Sequence, residues 1–239
     1  MIVCIDPGHG GNDSGAVANG IREKEVNLAV SLMVRDMLQA QGIEVLITRD
    51  TDVFVSFHDR VNLANSKRAD AFISIHHNAA ANTEARGLEI FYSIVGGEGK
   101  RLSEFIHSRY RALIPELPSR GVKTKRLNDG RDYYYVIRET RMPAIIIEGG
   151  FLTNAEDTAL TTQRYFQERQ AQAISQGVVL WKGGSIMPEV QEWKKDGLKW
   201  LEENGFITPG RWQAEDQLDM GTLGIILSRL IITGKRGER

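Results

Sequence analysis

Ala144-Ile145-Ile146-Ile147-Glu148-Gly149-Gly150 sets four apolar residues in a row against a carboxylate and two glycines. A continuous apolar run bounded by turn residues reads as a buried strand. The same pattern recurs elsewhere. At the start of the chain Ile2-Val3-Cys4-Ile5 runs into Asp6-Pro7-Gly8-His9-Gly10-Gly11, and residues 71–75 run into His76-His77-Asn78. Residues 43–48 read as a further strand, and 87–92 and 133–138 are strand-like. Between these runs the period changes. From Glu25 the apolar residues Val26, Ala29, Val30, Met33, Val34, Met37 and Leu38 recur at helical spacing, and Gly42 supplies a stop. Ser56 and Asp59 form a capping-box-like pair opening a helix through Asn65. Leu102, Phe105, Ile106, Tyr110, Leu113 and Ile114 mark another helix, closed by Pro115 and Pro118, and a last one covers 165–181. Strands alternating with helices predict an α/β fold, a sheet covered on both faces. In such sheets the site lies beyond the carboxyl ends of the strands. His9, His76 and Glu148 each follow a strand, so residues distant in sequence could converge there.

Composition bounds the function. The chain has 239 residues, with 41% hydrophobic and 26% charged, an ordinary mix for a protein with a sizeable core. A net charge of -1 gives no basic footprint for nucleic acid or anionic membrane. No apolar stretch approaches membrane-spanning length, so no membrane insertion is expected. The single cysteine, Cys4, reads as a small core residue and permits no internal disulfide. The opening strand leaves no room for a removable leader. The expectation is synthesis in the cytoplasm without a signal peptide, or a mature form or fragment.

Gly183-Gly184-Ser185 suggests a linker over 183–188 between a domain at 1–182 and a helical appendage at 189–239. In the appendage Trp193, Gly197, Trp200 and Leu201 share a helical face, Asn204-Gly205 ends that helix, and 218–232 reads as another.

A catalytic zinc takes three protein ligands and keeps a position open. Imidazole and carboxylate are suitable donors. His9 stands in a glycine-rich loop, where backbone can approach a metal or substrate. His76 follows a buried strand, and His77 alternates to the other face, so at most one of the pair can face a given metal. Glu148 is the most telling residue. A carboxylate after four apolar residues is poorly solvated and needs a partner charge or a proton. That is how a general base acquires a tuned pKa, although a partner such as Arg138 would also satisfy it. Residue chemistry does not separate Glu23 from Glu25 as a further ligand. Tyr133, Tyr134 and Tyr135 fit either a substrate groove or an aromatic strand cluster. Arg131 and Arg138 fit either carboxylate binding or solvated surface.

Four blocks now stand in order: Ile5-Asp6-Pro7-Gly8-His9-Gly10-Gly11, Gly20-Ile21-Arg22-Glu23-Lys24, Ser74-Ile75-His76-His77-Asn78-Ala79, and Ile147-Glu148-Gly149-Gly150-Phe151-Leu152-Thr153-Asn154. Together they resemble the signature of the zinc-dependent N-acetylmuramoyl-L-alanine amidases of the type-3 family. Asp59-Arg60-Val61 with Ala64-Asn65, and residues 87–92, support the likeness over 1–182. The resemblance implies a twisted, mainly parallel sheet with helices on both faces. It implies that His9, Glu23 and His76 ligate Zn2+, which selects Glu23 over Glu25, and that Glu148 is the catalytic carboxylate. The implied reaction is hydrolysis of the amide joining N-acetylmuramic acid to L-alanine in bacterial peptidoglycan. A phage enzyme for cell lysis after release is the preferred setting, with a host sporulation enzyme or a trimmed autolysin as alternatives. A zinc peptidase cutting a stem-peptide or cross-bridge bond would use the same metal chemistry. A non-catalytic wall-binding module would need no base beside the metal. The appendage faintly resembles an S-layer-homology-like helical unit, which fits wall attachment.

Overall fold

The computed structural model describes residues 1–186 and 199–203. The chain divides into two compact units, Met1–Ser185 and Ile186–Arg239. Of the second, Ile186 and residues 199–203 are described, the latter helical. Trp193, Gly197, Asn204, Gly205 and the helix expected over 218–232 lie outside the described residues.

The first unit runs β1 (Ile2–Pro7), β2 (Val17–Ala18), β3 (Ile21–Arg22), α1 (Glu23–Ala40), β4 (Glu44–Ile47), α2 (Phe57–Ser66), β5 (Ala71–Asn78), β6 (Leu88–Tyr92), α3 (Gly97–Leu113), β7 (Ser119–Lys123), α4 (Tyr135–Glu139), β8 (Ala144–Phe151), α5 (Ala155–Thr161) and α6 (Arg164–Trp181). Six strands form one sheet in the order β4-β1-β5-β8-β6-β7. Every neighbouring pair is parallel except β6 with β8. β1 passes through α1 to β4 on one side, and the chain then returns to β5 on the other. The order therefore reverses between β1 and β5, where the crevice of such sheets opens.

Alternation along the strands decides what each face carries. Val3, Ile5, Ala71, Ile73, Ile75, Leu88, Ile90, Ile145 and Ile147 turn one way, into a core with Val30 and Val34 of α1, Leu102 and Ile106 of α3, and Ile174 and Val178 of α6. Cys4, Phe72, Phe91, Ala144 and Ile146 turn the other way, toward Val61 and Ala64 of α2 and Val136 and Ile137 of α4. This second cover is short. On the same face Asp6, Ser74, His76 and Glu148 line an open cleft instead of a core.

Several elements differ from the sequence reading. Residues 133–138 do not form a strand; Tyr135–Glu139 is a helix. Two adjacent side chains, Val136 and Ile137, are both buried, and a helix can turn neighbours into one core where a strand would splay them. β7, α5 and the antiparallel β2–β3 pair were not anticipated. α1 begins at Glu23, two residues before the expected start. Ser56 caps α2 as read, its side chain accepting from the Asp59 amide.

The loop after β1 is held by two buried arginines. Arg49 donates to the carbonyls of Pro7 (3.1 Å), Gly8 (2.8 Å) and Lys24 (2.9 Å). Arg60 donates to the carbonyls of Pro7 (2.7 Å), His9 (2.8 Å) and Val55 (3.0 Å). Arg60 also pairs with Asp6, which further accepts from Thr48 and Ser74, each at 2.6 Å. Burial alone would raise the Asp6 pKa, but the Arg60 charge and these hydrogen bonds outweigh it and lower it. Replacing Arg60 by leucine strands a buried carboxylate. The expected cost is about 3–5 kcal/mol, read from urea unfolding at pH 7. Asp6 in the native protein titrates below its unfolded value, so its stabilisation is present above the unfolded carboxylate pKa and lost as pH falls further. Acid titration of the Arg60→Leu protein should therefore show a smaller loss of stability than the native chain.

Candidate active site

His9, Glu23 and His76 come together from the loop after β1, the start of α1 and β5, and their ligand atoms all lie within 4.8 Å of one another. Glu23 sits between the rings: His76 Nδ1 is 2.9 Å from its Oε1, and His9 Nε2 is 3.1 Å from its Oε2. The two imidazoles meet edge to face at 4.9 Å between centroids. Glu23 is buried. Burial would raise its pKa, but hydrogen bonds and charge from His76 and His9 hold it well below the usual carboxylate range. Its carboxylate also accepts from the Ala16 amide (2.9 Å) and the Asn27 side chain (3.1 Å), which fix its plane. Glu25 points elsewhere, pairing with Arg22 at the surface.

The loop carrying His9 has no spare room. His9 itself has a φ of 60°, an uncommon conformation for a residue with a Cβ, and the arginine clamp on its carbonyl sustains it. A Cβ on Gly8 would strike the His76 ring, and one on Gly15 would strike Glu23 and the His9 ring. Glycine at these two positions lets backbone pack directly against the ligand side chains. Asp13 Oδ2 accepts from His9 Nδ1 at 2.8 Å. An ionised carboxylate only accepts, so Nδ1 carries a proton, and Nε2, on the Glu23 side, is the nitrogen that would face a metal. That is the outer support expected behind a metal-binding imidazole. Two imidazoles and a carboxylate, preset at this spacing, fit zinc.

His77 has a different environment. It is buried on the opposite face, with Nδ1 2.8 Å from Asn27 Oδ1 and Nε2 3.4 Å from the Gln170 amide. Burial pushes its pKa down to about 4. It is a neutral core histidine. His58 and His107 lie apart, beside Asn62 and Ser119.

Glu148 stands directly across from His76 in the β5–β8 register. Among the described residues no side chain hydrogen-bonds or ion-pairs with its carboxylate. Arg138, the partner considered from sequence, instead pairs with Glu139 and donates to the Asp132 and Tyr133 carbonyls. Arg131 is taken by Asp129. Burial first, then the negative charges of Glu23 and Glu89, raise the Glu148 pKa well above normal, with Lys125 opposing. Such a group holds a proton readily.

The cleft above these residues has a volume of about 660 Å³. Phe54, Phe57, Tyr133, Tyr134 and Tyr135 are among its lining residues. Phe57 and Tyr135 are stacked at 6.2 Å, and Lys125 lies 4.0 Å over the Tyr133 ring. The three tyrosines thus belong to a groove wall and not to a strand. Sequence reasoning missed Asp13, Asn27, Arg49, Phe54 and Phe57. Only Asp13 had a local signal, four residues after His9 in a tight loop.

A family profile described as N-acetylmuramoyl-L-alanine amidase matches residues 3–179. N-acetylmuramoyl-L-alanine amidase LytC of Bacillus subtilis is 40% identical over 179 residues, 74% of this chain but 34% of that protein. Among solved structures, N-acetylmuramoyl-L-alanine amidase AmiC2 of Nostoc punctiforme superposes with a TM-score of 0.71 at 35% identity, over 77% of this chain and 97% of that one. The catalytic domain of the amidase CwlV from Bacillus (Paenibacillus) polymyxa gives a TM-score of 0.70 at 34% identity, over 77% and 99%. With a match that runs from β1 into α6, this chain belongs to the N-acetylmuramoyl-L-alanine amidase family.

Proposed function

We propose that the protein is a zinc-dependent amidase that hydrolyses the bond between the lactyl group of N-acetylmuramic acid and L-alanine in peptidoglycan, and that it serves to lyse cell walls. The observation that carries this reading is the unpaired Glu148 carboxylate facing His76 across one strand pair, at the floor of an open cleft. His9, Glu23 and His76 would hold the metal. Bound zinc supplies Lewis acidity, polarising a carbonyl and easing deprotonation of water. Glu148 accepts a proton from the attacking water as that oxygen joins the scissile carbonyl carbon. It returns the proton to the alanine nitrogen as the C–N bond breaks, so one carboxylate serves both steps. Its raised pKa suits that cycle, because a carboxyl that holds its proton can hand it to an amine. The open cleft admits an extended polymer. The setting we favour is a phage lysis enzyme, with residues 189–239 aiding wall attachment.

Glu148→Gln should keep fold and bound zinc while losing at least about a hundredfold in turnover, the scale of general acid–base catalysis. Near-normal turnover would assign the proton to another group. In metal analysis, His9→Ala and His76→Ala should each come through purification without zinc. His77→Ala should retain it, yet unfold more easily by about 1–3 kcal/mol, because Asn27 and Gln170 lose a buried partner. Digested walls should yield stem peptides with a new L-alanine amino terminus and no increase in reducing sugar ends. New termini deeper in the stem, identified by mass, would mark a peptidase instead.

A further inference from the structure

Next to Glu148 on its other side stands a group the reaction above leaves unused. Glu89 of β6 is directly opposite Glu148 in the antiparallel β6–β8 pair, and opposed residues share a sheet face. His76, Glu148 and Glu89 therefore form a row across three adjacent strands. Glu89 is buried, and two cations from β7 converge on it: Arg120 through Nε, and Lys123 through Nζ at 2.9 Å. Asn78 also donates to it, at 3.3 Å.

The balance of charge here is uneven. One carboxylate meets two cations, each more than a third exposed, at 39% for Arg120 and 36% for Lys123. Arg120 is also fixed in orientation. Its guanidinium lies 5.1 Å over the Phe151 ring, and its Nε is bound to Glu89. Among the described residues nothing accepts from Nη1 or Nη2. A guanidinium held on one edge and one face, with its outer donors open, is preorganised for a second carboxylate.

We infer that Arg120, with Lys123, binds a carboxylate of the substrate peptide and selects stems that carry a free acid just beyond the alanine. This rests on the amidase reading above. Spacing supports it. Strands lie about 4.8 Å apart, so β7 is roughly 10 Å from the Glu148 backbone, and the arginine reaches back toward Glu89. Two residues of extended peptide span roughly 7 Å, which brings an acidic second stem residue within reach when alanine sits at Glu148.

The test compares two soluble disaccharide tetrapeptides with lysine at the third position, differing only in D-glutamate or D-isoglutamine at the second. The native protein should cleave the glutamate form with a kcat/KM roughly tenfold or more above the isoglutamine form, the worth of a charge-assisted hydrogen bond. In Arg120→Gln that ratio should fall toward one, mostly through KM, and in Arg120→Lys it should be intermediate. Because Arg120 also holds Glu89 beside Glu148, its loss can slow both substrates; the ratio within one protein cancels that effect. Lys123→Gln should lower the ratio by a smaller factor, and thermal unfolding should show that each variant is folded. Equal cleavage of the two substrates by the native protein, or an unchanged ratio in Arg120→Gln, overturns the inference. Product masses keep the two levels apart: cleavage at a bond other than that to alanine fails the amidase reading itself, and the carboxylate assignment falls with it.

Discussion

The carbonyl groups of Pro7, Gly8 and His9 all point at buried guanidinium groups, and the site depends on that arrangement. A chain leaving a parallel strand normally sheds its carbonyls into solvent or a following helix. Here Arg49 and Arg60 take them, and in doing so turn the backbone so that the His9 ring faces Glu23. The arginines are buried without a full complement of acids; Asp6 offsets one, and oriented carbonyl dipoles serve the other. Desolvated, hydrogen-bonded charge of this sort is costly to disturb, which makes the loop stiff where a ligand must be fixed to within a fraction of an ångström.

The same constraint reaches α1. Arg49 bonds the Lys24 carbonyl in the first turn of that helix, and the Lys24 ammonium donates to the Gly11 carbonyl at 2.8 Å and pairs with Asp52. The helix start and the loop are therefore one rigid piece. Glu23 is delivered beside His9 by this linkage and beside His76 by the packing of α1 on β5. Electrostatics then divide the carboxylates by role. Glu23 lies among imidazoles and stays ionised. Glu148, one strand away, has burial and two negative neighbours, and its ionised form is disfavoured.

Much of this was legible in the sequence, and the reasons are specific. Ala144 to Ile147 and the strand before His76 are unbroken apolar runs, so their strand character follows from burial alone, and α/β alternation follows from what separates them. The separation of His76 from His77 follows from period-two geometry. Other features depend on tertiary context. The segment holding Tyr133 to Arg138 has a strand's composition but folds as a short helix because Val136 and Ile137 share one core. Glu23 and Glu25 differ only in which side of α1 meets the loop, which no local pattern reveals; the motif resemblance separated them. Arg49 carries no signal at all, since an arginine that caps carbonyls looks like any surface arginine until the loop is seen wrapped around it.

Building the site across neighbouring strands gives it a fixed metric. His76, Glu148 and Glu89 stand on a ladder whose rungs are set by backbone hydrogen bonds, and that ladder neither stretches nor slides without breaking the sheet. Loops can be lengthened by insertion and helices can shift by a fraction of a turn, but the interval between these three side chains is quantised. Adaptation to a differently spaced polymer would have to come from the walls that seat the chain, the aromatic loop segments and the edge strand, while the reacting centre stays invariant.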